Sequence, residues 1–310
     1  MHSAEVSVVD APEGIDFVIA DLPARPVHGT VLLVEPSFFE VRYRINPHMG
    51  GPVDPDRRDR QWRALREAFE THADDVVVLD PAAVAEKLGP DATPSAELPD
   101  LVYCANHGLP TPDGTGVVPA RMATAERAGE PAYFEAWARE RGYEVLAPVD
   151  AERFEGMGDA LWHPGRRLLW GGHGFRTDRA VYDELADRLG TRVVTLELTD
   201  ERYYHLDLCL APLDEETALV APEALTDSGL ATVERVFDHV LEAPAEEARE
   251  GLACNCRRLA DGTVLIGDGN PETERRLNEA GYPTHAVEVG EFLKGGGSVF
   301  CLSLGLGTLG

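Results

Sequence analysis

The stretch TRVVTLELTDERYYHLDLCLAPL, residues 191–213, sets the reading of the whole chain. It opens on a β-branched, apolar run that reads as a strand, passes through a short polar signature, YYHLD, and returns to an apolar run. The same order recurs on both sides of it. Polar signatures stand at INPHM around Asn46, CANHG around Asn106, FEGMGD around Glu155, ACNC around Asn255 and GGGSVFC ending at Cys301. Successive markers are spaced by about fifty residues, the period of a repeated supersecondary unit.

The material between markers is also alike. Strand-like runs precede them: TVLLVEPSF before Asn46, LPDLVYCA before Asn106 and YEVLAPVD before Glu155. Segments with helical spacing lie between, namely DRQWRALREAFETHA, PAYFEAWARERG, DRAVYDELADRLG, LATVERVFDHVLEAPAEEARE and ETERRLNEAGY. The expected fold class is therefore α/β built from repeated units, and rotation about an axis would gather the markers at one centre. No strand leads into a GxGxxG or GxxxxGK[ST] turn, and the glycine-rich GGHGFRTD at 171–178 lacks the lysine of a phosphate cradle, so a nucleotide cofactor is not expected.

Composition narrows the classes further. The 310 residues are 44% hydrophobic and 27% charged, with a net charge of −27 from 28 basic and 55 acidic residues. Such a field disfavours nucleic acid and anionic membranes and welcomes a small cation. Nearly every positive charge is an arginine, which points to a GC-rich or salt-adapted source. With no apolar run of about 18 residues and no basic-then-apolar leader, the expected location is the cytoplasm. The five cysteines form no CxxC pair, so neither a disulfide framework nor a metal site is expected.

Three groups carry the candidate chemistry. Cys301 follows a loop of three glycines and a serine, where backbone and substrate can approach closely, and precedes an apolar run, LSLGL. Cys104, Cys209, Cys254 and Cys256 sit within apolar runs and read as small core residues. Strand alternation would put His205 and Asp207 on one side, a pairing suited to proton transfer. Glu155 and Asp159 are acids of a turn.

In order and spacing, EPSFFEVRYRINPHM, PDLVYCANHG, FEGMGDAL, HLDLCLAPL and KGGGSVFCLSL resemble the guanidine-modifying superfamily, from about residue 30 to the C-terminus. That superfamily includes arginine deiminases, dimethylarginine dimethylaminohydrolases, arginine dihydrolases and amidinotransferases. The resemblance implies a pentein fold, a five-bladed α/β-propeller of pseudo-fivefold ββαβ units around a central active-site channel. Residues 1–310 would form one domain, with 1–28 a peripheral N-terminal segment. It implies Cys301 as nucleophile, His205 as general acid/base, and Glu155 as the carboxylate that holds the guanidinium and pairs with His205. Asp207 would face the guanidinium, Asp159 would support the FEGMGD turn, and Gly297 would give the backbone room beside the thiol. CANHG, with Asn106 where deiminases and dimethylarginine hydrolases have aspartate, resembles the dihydrolase branch, as does INPHM with Asn46 near the substrate. Arg127 in RMATAERAGE matches the arginine that binds the substrate α-carboxylate there. The implied protein is a cofactor-free hydrolase of a small guanidino compound, able to form a homo-oligomer. Dimethylargininase, deiminase, amidinotransferase and a non-catalytic arginine-binding protein stand as alternatives.

Overall fold

The computed structural model describes residues 6–26 and 29–308. It is a mixed α/β fold of five separate sheets. Each sheet repeats one pattern, an antiparallel pair followed by a helix-containing crossover to a third strand parallel to the second, and in four of the five the antiparallel pair is consecutive in the chain. In chain order of their middle strands, the sheets centre on Thr30–Val34, Gly116–Pro119, Leu168–His173, Thr217–Val220 and Val264–Gly267. These middle strands are buried almost throughout, as their continuous apolar sequence requires of strands covered on both faces.

Crossover helices begin and end where local chemistry dictates. Asp54 caps the helix Pro55–His72 by accepting from the Asp56 and Arg57 amides, with proline at the first helical position. The helix buries Trp62, Leu65 and Phe69, and the Trp62 indole donates to the Val34 carbonyl at 2.9 Å, pinning it to its middle strand. Gly190 ends the helix Val181–Leu189 in the left-handed conformation, φ 59°.

The fold closes on itself. The strand Leu304–Leu306 pairs antiparallel with Thr30–Val34, so one sheet is built from both ends of the sequence. Cys301 stands immediately before this closing strand, and its position depends on that closure. Of the 1–28 segment, residues 1–5 and 27–28 lie outside the described residues. The rest packs on the fold: Ser7–Val9 adds a parallel edge strand to Arg192–Glu197, and Arg25 is buried.

Several elements differ from the sequence reading. LPDLVYCA is two 3₁₀ turns, Pro99–Val102 and Cys104–His107, because the proline and the compact side-chain contacts favour a turn over a ladder. LATVERVFDHVLEAPAEEARE is not one helix. It splits into Asp227–Val236, the strand His239–Glu242 and the helix Ala245–Glu250, since His239–Glu242 pairs with Thr217–Val220. Asn46 is also out of phase. Asn106, Glu155, His205, Asn255 and Cys301 each stand just before the first strand of a sheet, whereas Asn46 follows a middle strand. Five sheets thus carry five in-phase markers. No described helix is long and apolar enough to cross a membrane.

Candidate active site

The five turns that precede the first strands pack together, and glycine permits their approach. Gly156 has φ 53°, and a Cβ there would lie 2.6 Å from the Gly108 amide nitrogen. A Cβ on Gly158 would meet Asn106 Nδ2 at 2.3 Å. The FEGMGD turn is fixed to the next one by Asp159, whose Oδ1 accepts from the Leu206 amide at 3.0 Å. Asp159 is fully buried, and burial lifts its carboxyl to about 6.

Glu155 and His205 meet in this cluster, both buried, with Oε2 and Nε2 2.6 Å apart. Glu155 Oε1 also accepts from the Ala123 amide at 2.9 Å, and Arg176 Nη1 lies 3.2 Å from Oε2. Burial by itself would raise the Glu155 carboxyl. The His205 hydrogen bond and the Arg176 charge more than offset this, and hold it well below the usual carboxylate range. The segment Leu206–Leu208 is a 3₁₀ turn and not the expected strand, so strand alternation is not what brings His205 and Asp207 to the same centre.

Cys301 is 2% exposed. Its Sγ lies 3.3 Å from Asp207 Oδ2 and 3.1 Å from Asn255 Nδ2, while Asn255 Oδ1 accepts from the Cys301 amide at 3.1 Å and the Ser298 amide at 3.0 Å. One buried asparagine therefore sets the glycine loop and addresses the sulfur. Burial, then the Asp207 carboxylate, pushes the Cys301 thiol well above the ordinary thiol range. Burial lifts Asp207 to about 7, offset in part by the hydrogen bonds from Cys301 and Asn255. With no cation beside them, burial and the mutual repulsion of two anions favour the protonated forms of both groups.

The glycine loop has little latitude. Gly296 has φ 93°, and a Cβ there would lie 2.6 Å from Asn46 Oδ1. A Cβ on Gly297 would lie 2.6 Å from the Tyr103 ring and 2.9 Å from Cys301 Cβ. Gly297→Ala is expected to displace the thiol and lower kcat by about 100-fold or more, the scale of a misplacement near 1 Å. The measurement is kcat beside a thermal melt; unchanged kcat in a folded variant would remove Gly297 from the machinery.

Asn46 grips this loop through Nδ2 on the Gly295 carbonyl at 3.1 Å and caps its own turn, its Oδ1 accepting from the His48 and Met49 amides. It lines a cleft of about 490 Å³ together with Arg44, Arg176 and Tyr204. Asn106 is buried, with Oδ1 accepting from Arg127 Nη1 at 2.8 Å and Nδ2 without a partner. Arginine can only donate, so this bond fixes which end of the amide is which. Asn106 thus presents a donor, not an acceptor, to the centre. His205 Nδ1 and Asp207 Oδ1 are likewise buried without partners.

Arg127 does not reach the open cleft. Glu130, fully buried, takes its Nε at 3.0 Å and Nη2 at 2.7 Å, and Asn106 takes Nη1. All three Arg127 nitrogens are thus engaged within the protein, and Arg127 is not among the residues that line the cleft. Arg176, within the GGHGFRTD stretch that lacks a lysine, lines the cleft together with Arg44. It donates to the Ile45 carbonyl at 2.6 Å and stacks 5.0 Å from the Tyr204 ring. Asn255 was visible as a marker of the repeat, yet its spacing alone carried no role. Among the described residues, no cluster of three or more histidine, cysteine or acidic side chains could hold a metal ion.

Buried Asp207 has a stability consequence. Between its ordinary value of 3.8 and about 7, the folded state keeps a proton that the unfolded chain has lost. Stability contributed by the protonated group therefore falls as pH rises through that window. Asp207→Asn is expected to raise the melting temperature at pH 8 by several degrees, on the order of 2–4 kcal/mol, with the gain fading near pH 4. Melts at both pH values decide it, and a lower melting temperature at pH 8 would refute the assignment.

No family model matches the chain. The bifunctional arginine dihydrolase/ornithine cyclodeaminase AgrE of Nostoc sp. is 35% identical over 88% of this chain, which spans 37% of that protein's length. An N(G),N(G)-dimethylarginine dimethylaminohydrolase of Mycobacterium tuberculosis is 35% identical, over 91% of this chain and 88% of its own. Among solved structures, the product-bound N-terminal domain of ArgZ, a cyanobacterial arginine dihydrolase, aligns with a TM-score of 0.79 and 33% identity, covering 89% of this chain and 96% of that one. A variant of the same domain has been solved with a reaction intermediate covalently bound.

Proposed function

The chain belongs to the guanidine-modifying superfamily, and from that membership we propose that it is a cysteine hydrolase of a guanidino carbon, an arginine dihydrolase. The five like sheets support reading them as blades of a pentein propeller around a central channel, formed by residues 1–310 as one domain. The observation that carries the dihydrolase reading is Asn106 Nδ2, a buried donor with no partner and a fixed orientation.

A guanidinium carbon is resonance-stabilised and resists addition. Glu155 and Asp207 concentrate its charge, and the arriving cation favours the Cys301 thiolate that burial otherwise suppresses. Sulfur then adds to the carbon, and His205 in its protonated form gives a proton to the departing amine, releasing ammonia. A thiouronium adduct remains. Neutral His205 takes a proton from water as it attacks, the carbon–sulfur bond breaks, and a ureido product forms. An aspartate in place of Asn106 would face the ureido oxygen with another acceptor, whereas Nδ2 can donate to it. A second round with a second water then yields ornithine, a second ammonia and carbon dioxide. Arg176, which lines the cleft while paired with Glu155, is the cation we assign to the substrate α-carboxylate.

Incubation with L-arginine, with ornithine, citrulline and ammonia quantified, tests the reading. Two ammonia and one ornithine per arginine are expected, and citrulline as the sole product would sink the dihydrolase assignment. The Mycobacterium tuberculosis relative supports a second reading, dimethylargininase, whose sign is dimethylamine released from dimethylarginine.

A further inference from the structure

A second cavity, of about 140 Å³, stands apart from the cleft that Arg176 lines, and its charge is opposite to that of the chain as a whole. In a protein of net charge −27, it is lined by Arg25, Arg257 and Arg258, and none of its described lining residues is acidic. Arg25 is 8% exposed, its Cζ lies 4.9 Å from the centre of the Trp162 ring, and its Nε has no hydrogen-bond partner. Among the described residues no carboxylate pairs with it. A buried guanidinium left without an anion is costly, and burial accordingly pulls Arg25 down to about 9. Arg257 is held from behind, Nε on Ser303 Oγ at 2.8 Å and Nη2 on the Ser303 carbonyl at 2.9 Å, with Cζ 4.1 Å from the Phe300 ring. Arg258 donates Nη1 to the Leu213 carbonyl at 3.3 Å, and its Cζ lies 5.7 Å from the centre of the Tyr282 ring. The remaining wall is largely apolar.

We propose that this cavity is a binding site for a small organic carboxylate, whose anionic end pairs with Arg25 and is flanked by Arg257 and Arg258 while its apolar body lies against Trp162. The class follows from the lining. A guanidinium fork matches a planar carboxylate, and an aromatic, aliphatic wall rewards an apolar body that a bare inorganic ion lacks. The cavity adjoins the catalytic layer: Phe300 and Cys256 in its wall are the chain neighbours of Cys301 and Asn255.

The probe is 4-fluorobenzoate, titrated into the protein and followed by fluorine NMR, with 4-fluorobenzamide as the neutral control. Saturable binding of the anion and none of the amide is expected. Arg25→Gln is expected to weaken binding at least tenfold, and Arg258→Gln, an exposed position that does not endanger folding, at least threefold. Arg176→Gln should leave it unchanged, with thermal melts reporting the fold of each variant. Absence of saturable binding, equal binding of the amide, or loss in Arg176→Gln with retention in folded Arg25→Gln or Arg258→Gln overturns the proposal. The last pattern would put the anion in the substrate cleft.

Discussion

Cys301→Ala is expected to abolish turnover of arginine, a loss of about 10⁴-fold or more in kcat, while the melting temperature stays within a few degrees of the parent and arginine still binds. The side chain lost is small and its amide still donates to Asn255 Oδ1, so the loop keeps its shape. The reaction loses the one protein atom that, in the proposed mechanism, bonds to the guanidino carbon. Removal of the thiol also frees Asp207 of its sulfur neighbour, so arginine should bind the variant at least as tightly as it binds the parent. Calorimetric titration of the variant alongside product analysis separates the two effects. A folded Cys301→Ala protein that still produced ornithine would end the covalent mechanism proposed above.

Asn106→Asp is the second large effect. Asparagine there offers Nδ2 to the centre because Arg127 holds Oδ1. Aspartate would keep the contact with Arg127, now as an ion pair, and turn a second acceptor toward the substrate. A guanidinium, all donors, tolerates or gains from that change, whereas a ureido oxygen loses its donor and meets a like charge. Removal of one such donor is worth about 10²–10³ in rate. The first hydrolysis should therefore persist, and ornithine formation from citrulline should fall by about that factor, so that citrulline accumulates. The measurement is the citrulline-to-ornithine ratio over time, against the parent protein. An unchanged ratio would mean that Asn106 does not face the second step.

How much of this was legible beforehand depended on which interactions are local. The period of about fifty residues follows from repeated packing of one supersecondary unit, and such a pattern is written in the chain itself. The turns carrying Glu155, His205 and Cys301 stand out as polar markers of the repeat, and the resemblance to a known superfamily is what joins them into one expected centre. Elements without a strong local preference were misread. LPDLVYCA has the composition of a strand, but Arg127 Nη2 approaches the Asp100 and Tyr103 carbonyls at 3.4 Å, and those carbonyls are turned toward it in a 3₁₀ conformation. His239–Glu242 lies within a helix-like stretch and becomes a strand because its partner, Thr217–Val220, offers a free edge.

By itself, then, the sequence determined the α/β class, the repeat and the residues of the cluster with Cys301, His205 and Glu155 among them. These rest on apolar periodicity and on the order and spacing of the polar signatures taken together. Only the tertiary structure decided which arginine borders the cleft. Arg127 and Arg176 are indistinguishable as letters and each pairs with a buried glutamate, Glu130 and Glu155, but of the two Arg176 lines the cleft. The structure likewise turned Asn255 from a marker into the group that fixes Cys301, and Asn106 from an ambiguous amide into a donor. The two asparagine assignments depend on partners 46 and 21 residues away in the chain, and hydrogen bonds at such separations follow from packing, not from local sequence.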